Sequence, residues 1–112
     1  MYSSIQIDGI GRILLERKWI GVFPLDKIPS LSREGGFIVN TQPSNQPSEH
    51  WIAVYIKRNL IRVFDPFGFY YLPVLVNTLR RSGRKIVFNK SQYQDVTTST
   101  CEQFCLLWLT SL

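Results

Sequence analysis

The sequence predicts an α+β fold, with a small, mainly antiparallel sheet and flanking helices. Two runs rich in β-branched and aromatic residues, 51–57 and 60–65, are separated only by Arg58-Asn59, which is the length of a two-residue hairpin turn. Segments with apolar residues at helical spacing precede and follow this hairpin. The resulting order along the chain is helix, strands, helix, strand, helix.

The composition indicates one globular domain over residues 1–112. Apolar residues make up 45% of the chain and charged residues 19%, which excludes a disordered chain. The longest uninterrupted apolar runs fall far short of the roughly 18 residues of a membrane-spanning helix. The N-terminal segment carries Asp8 and Glu16 and lacks the features of a signal peptide, so we expect an intracellular protein with reduced thiols.

The first helix is predicted over about residues 4–17, where apolar side chains recur at helical spacing, with Ser3 or Ser4 as its N-cap. Gly9 and Gly11 each cost this helix about 1 kcal/mol relative to alanine. The rest of the N-terminal half is predicted to form an extended segment, a loop, a buried strand and a polar loop, at 19–24, 26–36, 36–40 and 41–49.

After the hairpin, a proline near its first turn and a glycine just past its end delimit a second helix. A strand and a polar loop follow. A third helix comes last, and because apolar residues occupy nearly every side of it, we expect it to be buried almost all round. These elements are predicted at 73–82, 85–89, 91–100 and 101–112.

The hairpin brings the single histidine close to a carboxylate. His50 directly precedes the first hairpin strand and Asp65 ends the second. When the strands are paired outward from the turn, position 52 faces position 65, so His50 lies within about two residues of Asp65. A carboxylate there orients an imidazole and stabilises its charged form.

Cys101 opens the third helix, after three hydroxyl residues at 98–100 that can cap it. A thiol at a helix N-terminus feels the positive end of the dipole, so its pKa is expected below the free value of about 8.5. Cys101, His50 and Asp65 are thus a candidate nucleophile, base and orienting carboxylate. The backbone N–H of Cys101 and the side-chain amide of Gln94 are candidate donors to an oxyanion.

Each of these residues also has an ordinary structural interpretation. His50 is acceptable as a surface histidine, Asp65 as a turn residue before a proline, and Gln94 as a polar loop residue. Cys101 is acceptable as a core thiol, which is the commonest fate of an unpaired cysteine, and we assign that role to Cys105. Two cysteines and one histidine are too few for a disulfide scaffold or a zinc site, so no metal is expected.

The order and context of these residues resemble the adenovirus-type cysteine proteases (adenain), including those of Polinton transposons and virophages. The resemblance covers nearly the whole chain. The related deSUMOylating proteases share the order of His, Asp, Gln and Cys, but Pro-Phe-Gly-Phe points to the adenain branch. The matching segments are 21–27, Ile-Val-Asn-Thr at 38–41, His-Trp at 50–51, Asp-Pro-Phe-Gly-Phe at 65–69, Gln94, Cys101 and Phe-Cys at 104–105.

The resemblance implies a minimal papain-like core and a cysteine endopeptidase that cleaves viral or transposon-encoded precursor proteins at Gly-containing sites during particle maturation. Cys101 would be the nucleophile, His50 the base, Asp65 the orienter and Gln94 an oxyanion donor. Trp51 would pack near His50 and shape the substrate cleft. No cofactor is required for this chemistry, and the expected locations are the host nucleus, the cytoplasm or a viral factory, and the virion.

The resemblance also implies that DNA or a peptide can activate the enzyme. Both cysteines belong to the third helix, so an activating peptide is not expected to be disulfide-linked. The formal net charge of +5 favours polyanionic partners, although these side chains are equally acceptable as a solvated surface. Candidate phosphate contacts are Lys57, Arg58, Arg62, Arg80, Arg81, Arg84 and Lys85.

Three departures from the family leave two rival functions open. Glu102 follows the nucleophile where the family usually has Gly, Asp65 stands where adenovirus enzymes carry Glu, and residue 112 ends the sequence well before the family's further helical region. One rival is a catalytically impaired DNA-binding or capsid-associated module of the same fold. The other is an isopeptidase acting on ubiquitin- or SUMO-type tails. In each case we expect a monomer without membrane association.

Overall fold

A computed structural model describes residues 3–40, 51–65, 73–88 and 101–112. Three α-helices and five strands are present in these ranges, with ends within a few residues of the predicted ones, which confirms the α+β fold class. Short 3₁₀ turns flank the first strand. The elements are α1 Ser4–Leu15, a 3₁₀ turn Glu16–Lys18, β1 Trp19–Pro24, a 3₁₀ turn Leu25–Lys27, β2 Gly35–Asn40, β3 Trp51–Ile56, β4 Leu60–Phe64, α2 Pro73–Arg80, β5 Lys85–Phe88 and α3 Cys101–Thr110.

The sheet has the spatial order β1-β2-β3-β4-β5. Its centre is antiparallel, because β3 pairs with β2 and β4 in opposite directions. The outer pairs, β1 with β2 and β4 with β5, are parallel, a feature that the sequence analysis did not predict. The sheet is therefore mixed, with the hairpin in its antiparallel middle.

The hairpin has the predicted register. Ala53 lies opposite Phe64 and Ile56 opposite Ile61. The backbone N–H of Lys57 donates to the carbonyl of Leu60 at 2.9 Å, which closes the ladder next to the two-residue turn. The turn length alone was enough to predict these partners, because a hairpin's register follows from its loop.

The helices cover both faces of the sheet. On one face, Ile7 of α1 and the buried residues of α3 pack on Trp19, Ile38 and Ala53. On the other face, the buried leucines of α2 pack on the second set of alternating strand residues, which are Phe37, Val39, Ile52, Val54, Ile56, Ile61 and Val63. Burial on both faces explains why β2 and β3 consist almost entirely of apolar residues.

Helix α1 begins at a capping box. The side chain of Ser3 accepts from the backbone N–H of Gln6, and the Gln6 side chain accepts from the backbone N–H of Ser3. The helix ends at Leu15, two residues earlier than predicted, because Glu16 adopts a positive φ of 52°. That conformation cannot continue a right-handed helix.

Helix α3 differs from its prediction. Cys105, Leu106 and Leu109 are buried, but Leu107 is 66% exposed, so the expectation of burial almost all round was wrong. One side of α3 packs on the sheet and the opposite side faces outward.

Among the residues described, no helix combines the length and hydropathy of a membrane span.

Candidate active site

Two predicted site residues lie at one end of the hairpin. Trp51 begins β3 and Asp65 directly follows β4. Because these strands are antiparallel, the start of β3 and the end of β4 are neighbours, and Ala53 opposite Phe64 is the described pair nearest that end. Trp51 is fully buried and Asp65 is only 1% exposed. A carboxylate with so little exposure to solvent is unusual in a folded protein.

The direction of α3 places its first residue at the same end. The Cys105 thiol donates to the carbonyl of Trp51 at 3.3 Å, at the start of β3. One turn later, Leu109 lies against Gly36, where an added Cβ would be 2.9 Å from its methyl group. Gly36 pairs with Tyr55, near the other end of β3. Helix α3 and strand β3 therefore run in the same direction.

This shared direction has a direct consequence for Cys101. It is the first residue of α3, and four residues of helix rise correspond to about 6 Å. The backbone of Cys101 therefore lies about 6 Å along the axis from Cys105, on the side away from Leu109. It lies towards the beginning of β3, the end at which Asp65 follows β4.

The remaining parts of the predicted site are outside what the structure describes. His50 and Gln94 fall in the ranges 41–50 and 89–100, and their predicted roles stay predictions. The same holds for the predicted roles of the Cys101 thiol and Glu102. Cys105 is a fully buried residue of the core, in agreement with the structural role assigned to it.

The side chain of Trp51 lies in the core. It is fully buried in the cluster that includes Cys105 and Leu106, so it supports the position of α3 on β3. Its predicted packing near His50 and its predicted role in shaping the substrate cleft stay predictions.

An aromatic contact supports α3 on the hairpin. The rings of Phe64 and Trp108 stack with centroids 5.2 Å apart and planes 10° from parallel. Phe64 immediately precedes Asp65, so the stack holds the end of β4 against α3. Neither Phe64 nor Trp108 was among the predicted site residues.

Most of the predicted phosphate-contacting residues lie at the opposite end of the sheet. The guanidinium of Arg84 donates to the carbonyl of Arg58 in the hairpin turn at 3.2 Å and to that of Leu31 at 2.7 Å. Lys85 pairs with Leu60. Arg80 and Arg81 lie at the end of α2. The structure thus brings together two basic segments that are far apart in sequence.

A cleft of about 430 Å³ opens at this basic end. Its lining contains two arginines and several hydroxyl groups, and no carboxylate. The loop residues were not predicted, because nothing in their sequence marks them as binding residues. The lining residues are Pro29, Ser30, Leu31, Ser32, Thr78, Arg81, Ser82 and Arg84.

Two predicted basic residues are placed differently from this cleft. Arg62 lies on β4 and lines a separate small pocket with Trp108, on the face that α3 covers. Lys57 is only half-exposed next to the hairpin turn.

Within the described ranges, no group of three or more His, Cys, Asp or Glu residues is arranged to hold a metal ion.

The fold is shared with a viral protease. One structure of the ASFV pS273R protease matches 97% of this chain and 56% of its own with a TM-score of 0.69 at 11% identity. A selenomethionine structure of the same protease matches 68% of this chain and 34% of its own with a TM-score of 0.54 at 16% identity. No protein-family model and no curated protein sequence matches.

These comparisons concern the fold. The chain has a viral-protease-like fold, in agreement with the predicted fold class. It spans about half of the pS273R chain in the longer match and about a third in the shorter one. The identities of 11% and 16% are too low to transfer individual residues from that protease to this chain.

Proposed function

We propose that this protein is a cysteine endopeptidase that uses Cys101 as nucleophile, His50 as general base and acid, and Asp65 as the orienting carboxylate. The observation that carries the proposal is the shared direction of α3 and β3. It directs the first residue of α3 towards the end of the sheet at which the buried Asp65 follows β4. In sequence, His50 directly precedes Trp51, the first residue of β3.

The hairpin register supports the proposed pair of His50 and Asp65. Extending the register from Ala53 and Phe64 puts position 52 opposite position 65. A strand that continued in this register to position 50 would make it the diagonal neighbour of position 65 on the same face, about 7–8 Å away between backbones. An imidazole and a carboxylate can meet across that distance, which is the arrangement that orients a catalytic histidine.

The chemistry follows from these positions. His50 removes the proton from the Cys101 thiol, and the positive end of the α3 dipole stabilises the thiolate. The sulfur attacks the scissile carbonyl carbon, and the oxyanion accepts from the Cys101 backbone N–H and the Gln94 amide. As the C–N bond breaks, His50 gives its proton to the leaving amine.

The second half of the reaction regenerates the enzyme. His50 removes a proton from water while the oxygen attacks the thioester carbon. The C–S bond then breaks, and the proton held by His50 returns to the Cys101 sulfur. The acid product carries the oxygen from water. From the resemblance to the adenain family, we propose precursor proteins with Gly-containing sites as substrates.

Two cysteines in one helix provide a matched test. The chain is treated with an iodoacetamide probe and, separately, with labelled peptides containing Gly-Gly, and products are measured by intact mass and by fluorescence. Cys101→Ala is expected to abolish both labelling and cleavage, while Cys105→Ala is expected to retain most of both because Cys105 is buried. Equal labelling of the two cysteines, or none, contradicts the proposal.

The basic cleft favours one second candidate function, the binding of nucleic acid by a module of this fold without catalysis. Arg81, Arg84 and the nearby hydroxyl groups provide donors for phosphate oxygens. This end of the sheet lies about 20 Å from the candidate active site, the length of a six-residue strand. DNA binding at that distance is compatible with both a functional and an inactive catalytic site.

Binding measurements separate the two functions. If the protein is a nucleic-acid-binding module without catalysis, its DNA affinity should fall steeply with salt and should be the same in the Cys101→Ala variant. No precursor protein should then be cleaved. Arg81→Gln is expected to weaken binding and to reduce the salt slope by about 1. Arg12→Gln on α1 is the control, and an equal loss there would indicate attraction by net charge alone.

A further inference from the structure

Helix α1 carries an apolar stripe on its outer side. Ile5 is 85% exposed and Ile13 is 78% exposed, while Ile7 and Gly11 face the core. Gly9 lies midway between the two exposed isoleucines. Residues four apart share a helix face, so Ile5, Gly9 and Ile13 form one continuous line on the surface. We call this line the outer stripe of α1.

The two glycines of α1 have different surroundings. A Cβ at Gly11 would lie 2.5 Å from the Trp19 ring, so the fold requires glycine there. A Cβ at Gly9 would have nothing within 4 Å. Glycine inside a helix costs about 1 kcal/mol relative to alanine. No contact among the described residues uses the small size of Gly9, whereas a second helix approaching from outside would use it.

We propose that the outer stripe is a contact surface for the α1 helix of a second copy of this chain, in an antiparallel arrangement centred on Gly9. Ile5 and Ile13 each lie four residues from Gly9, about 6 Å along the axis. A two-fold axis through Gly9 therefore places Ile5 of one copy beside the partner's Ile13, and the two glycines let the helix backbones approach. The stripe is complementary to itself.

The charges beside the stripe fit this arrangement. Asp8 and Arg12 lie on one flank of the stripe and form an ion pair within the helix at 2.9 Å. Under the two-fold axis, the same flanks of both helices meet, and each Arg12 comes within about 3 Å along the axis of the partner's Asp8. In a parallel pair the charged flank would meet the opposite flank, which carries Gln6. The antiparallel pair is therefore favoured.

The contact is small, so the dimer is weak. A helix of 12 residues is about 18 Å long, and a contact between two such helices falls below the standard interface of about 800 Å² per partner. The net charge of +5 on each copy opposes association as well. We expect a reversible dimer in place of the monomer predicted from the sequence, populated at micromolar to millimolar concentrations.

Sedimentation analysis over about 10–500 μM tests this surface in the range expected for a small interface. The average mass of the chain should rise with concentration. Gly9→Gln should weaken association at least tenfold by blocking helix approach, without loss of the fold, because the site is open and glutamine favours helix. Leu107→Gln, on the exposed side of α3, is the control and should leave association unchanged.

A pair of charge variants tests the register. Ile5→Arg and Ile13→Glu alone should each prevent association, because each homodimer would hold two unpaired charges in an apolar contact. An equimolar mixture should restore it, since one Arg then meets one Glu and the remaining contact is Ile with Ile. A chain that stays monomeric at every concentration, or association that Gly9→Gln leaves unchanged, overturns the proposal. Failure of the mixture to associate overturns the antiparallel register.

Discussion

Helices α1 and α3 pack on the same face of the sheet but are attached to it in different ways. Helix α3 lies over the central strand β3, to which its Cys105 thiol donates, and its Trp108 ring stacks on the hairpin. Helix α1 lies over the edge strand β1 and is held there by Gly11 and Asp8, which both contact Trp19. The helix that begins at the proposed nucleophile is therefore the more deeply anchored one.

This difference indicates that the two helices contribute differently to stability and to the candidate active site. The packing of α3 determines the position of the candidate active site, so large truncations in its buried face, unlike the loss of the single Cys105 sulfur, should affect stability and activity together. Helix α1 packs mainly on β1 and also contacts α3, but no proposed site residue belongs to it. Changes at the contact between α1 and Trp19 should therefore alter stability without moving Cys101 relative to Asp65. The following three substitutions test this contrast, beginning with the largest expected effect.

Leu109→Ala in α3 should have the largest effect. Leu109 is 2% exposed and lies against Gly36 in β2. Its truncation leaves a cavity in the layer between α3 and the sheet, and we expect a loss of about 2–5 kcal/mol in the free energy of unfolding. Urea denaturation followed by tryptophan fluorescence measures this loss. Peptidase activity should fall as well, even where the variant is still folded.

Leu107→Ala is the matched control in the same helix, because Leu107 is mostly exposed. Its effect should stay within about 0.5 kcal/mol, as is usual for surface positions. A loss comparable to that of Leu109→Ala would mean that another part of the chain covers this side of α3. The contrast between the two leucines depends on that difference in burial.

Gly11→Ala in α1 should have an intermediate effect. The new methyl group would lie 2.5 Å from three atoms of the Trp19 ring, and overpacking of this kind costs about 1–3 kcal/mol. Gly9→Ala, two residues earlier in the helix, should instead stabilise the chain by up to about 1 kcal/mol, because its site is open. Thermal denaturation at low protein concentration compares them. If both substitutions stabilise the chain, Trp19 does not anchor α1.

Asp8→Asn should have the smallest effect, and its effect should depend on pH. The hydrogen bonds that Asp8 accepts from Trp19 Nε1 and from Arg12 lower the pKa of its carboxyl below the ordinary value of 3.8. The ionised form thus stabilises the folded state above that value, and this contribution is lost as the pH falls through the lower pKa of the folded state. Solvent weakens it, since the side chain is 35% exposed.

Urea denaturation at a series of pH values measures the stability difference between the chain and Asp8→Asn. The difference should be constant near neutral pH and should shrink as the pH falls below about 4. Arg12→Gln removes one of the two partners, so the contribution of Asp8 should become smaller while its pH dependence keeps the same direction. A difference that grows towards acid pH contradicts the described contacts of Asp8.

Local features of the fold could be predicted from the sequence. The two-residue turn Arg58-Asn59 determines the hairpin register, and the serines at 3 and 4 mark the start of α1, because both features depend on neighbouring residues only. The parallel pairing of β1 with β2 could not be predicted, since strand pairing across a long loop leaves no local pattern. The parallel pairing of β4 with β5 was not predicted either, although a helix between two strands favours a parallel pair. The exposed Leu107 could not be predicted either, because burial depends on which elements are packed against a helix.

In the candidate site, too, some features could be predicted from the sequence and others could not. The neighbourhood of position 50 and Asp65 follows from hairpin geometry, and the helix that begins at Cys101 follows from its apolar pattern. The shared direction of α3 and β3 could not be predicted, because it is a property of tertiary packing that appears in the contacts of Cys105 and Leu109. The functional proposal depends on this shared direction, which the sequence pattern does not reveal.

The bond from Cys105 to the Trp51 carbonyl has a consequence for timing during synthesis. Its donor and acceptor are 54 residues apart in the chain, so this contact forms only when α3 has been made and has docked. Under the proposed function, the catalytic centre is incomplete until then, because α3 begins with the nucleophile. A nascent chain that still lacks α3 could therefore not digest itself or its neighbours.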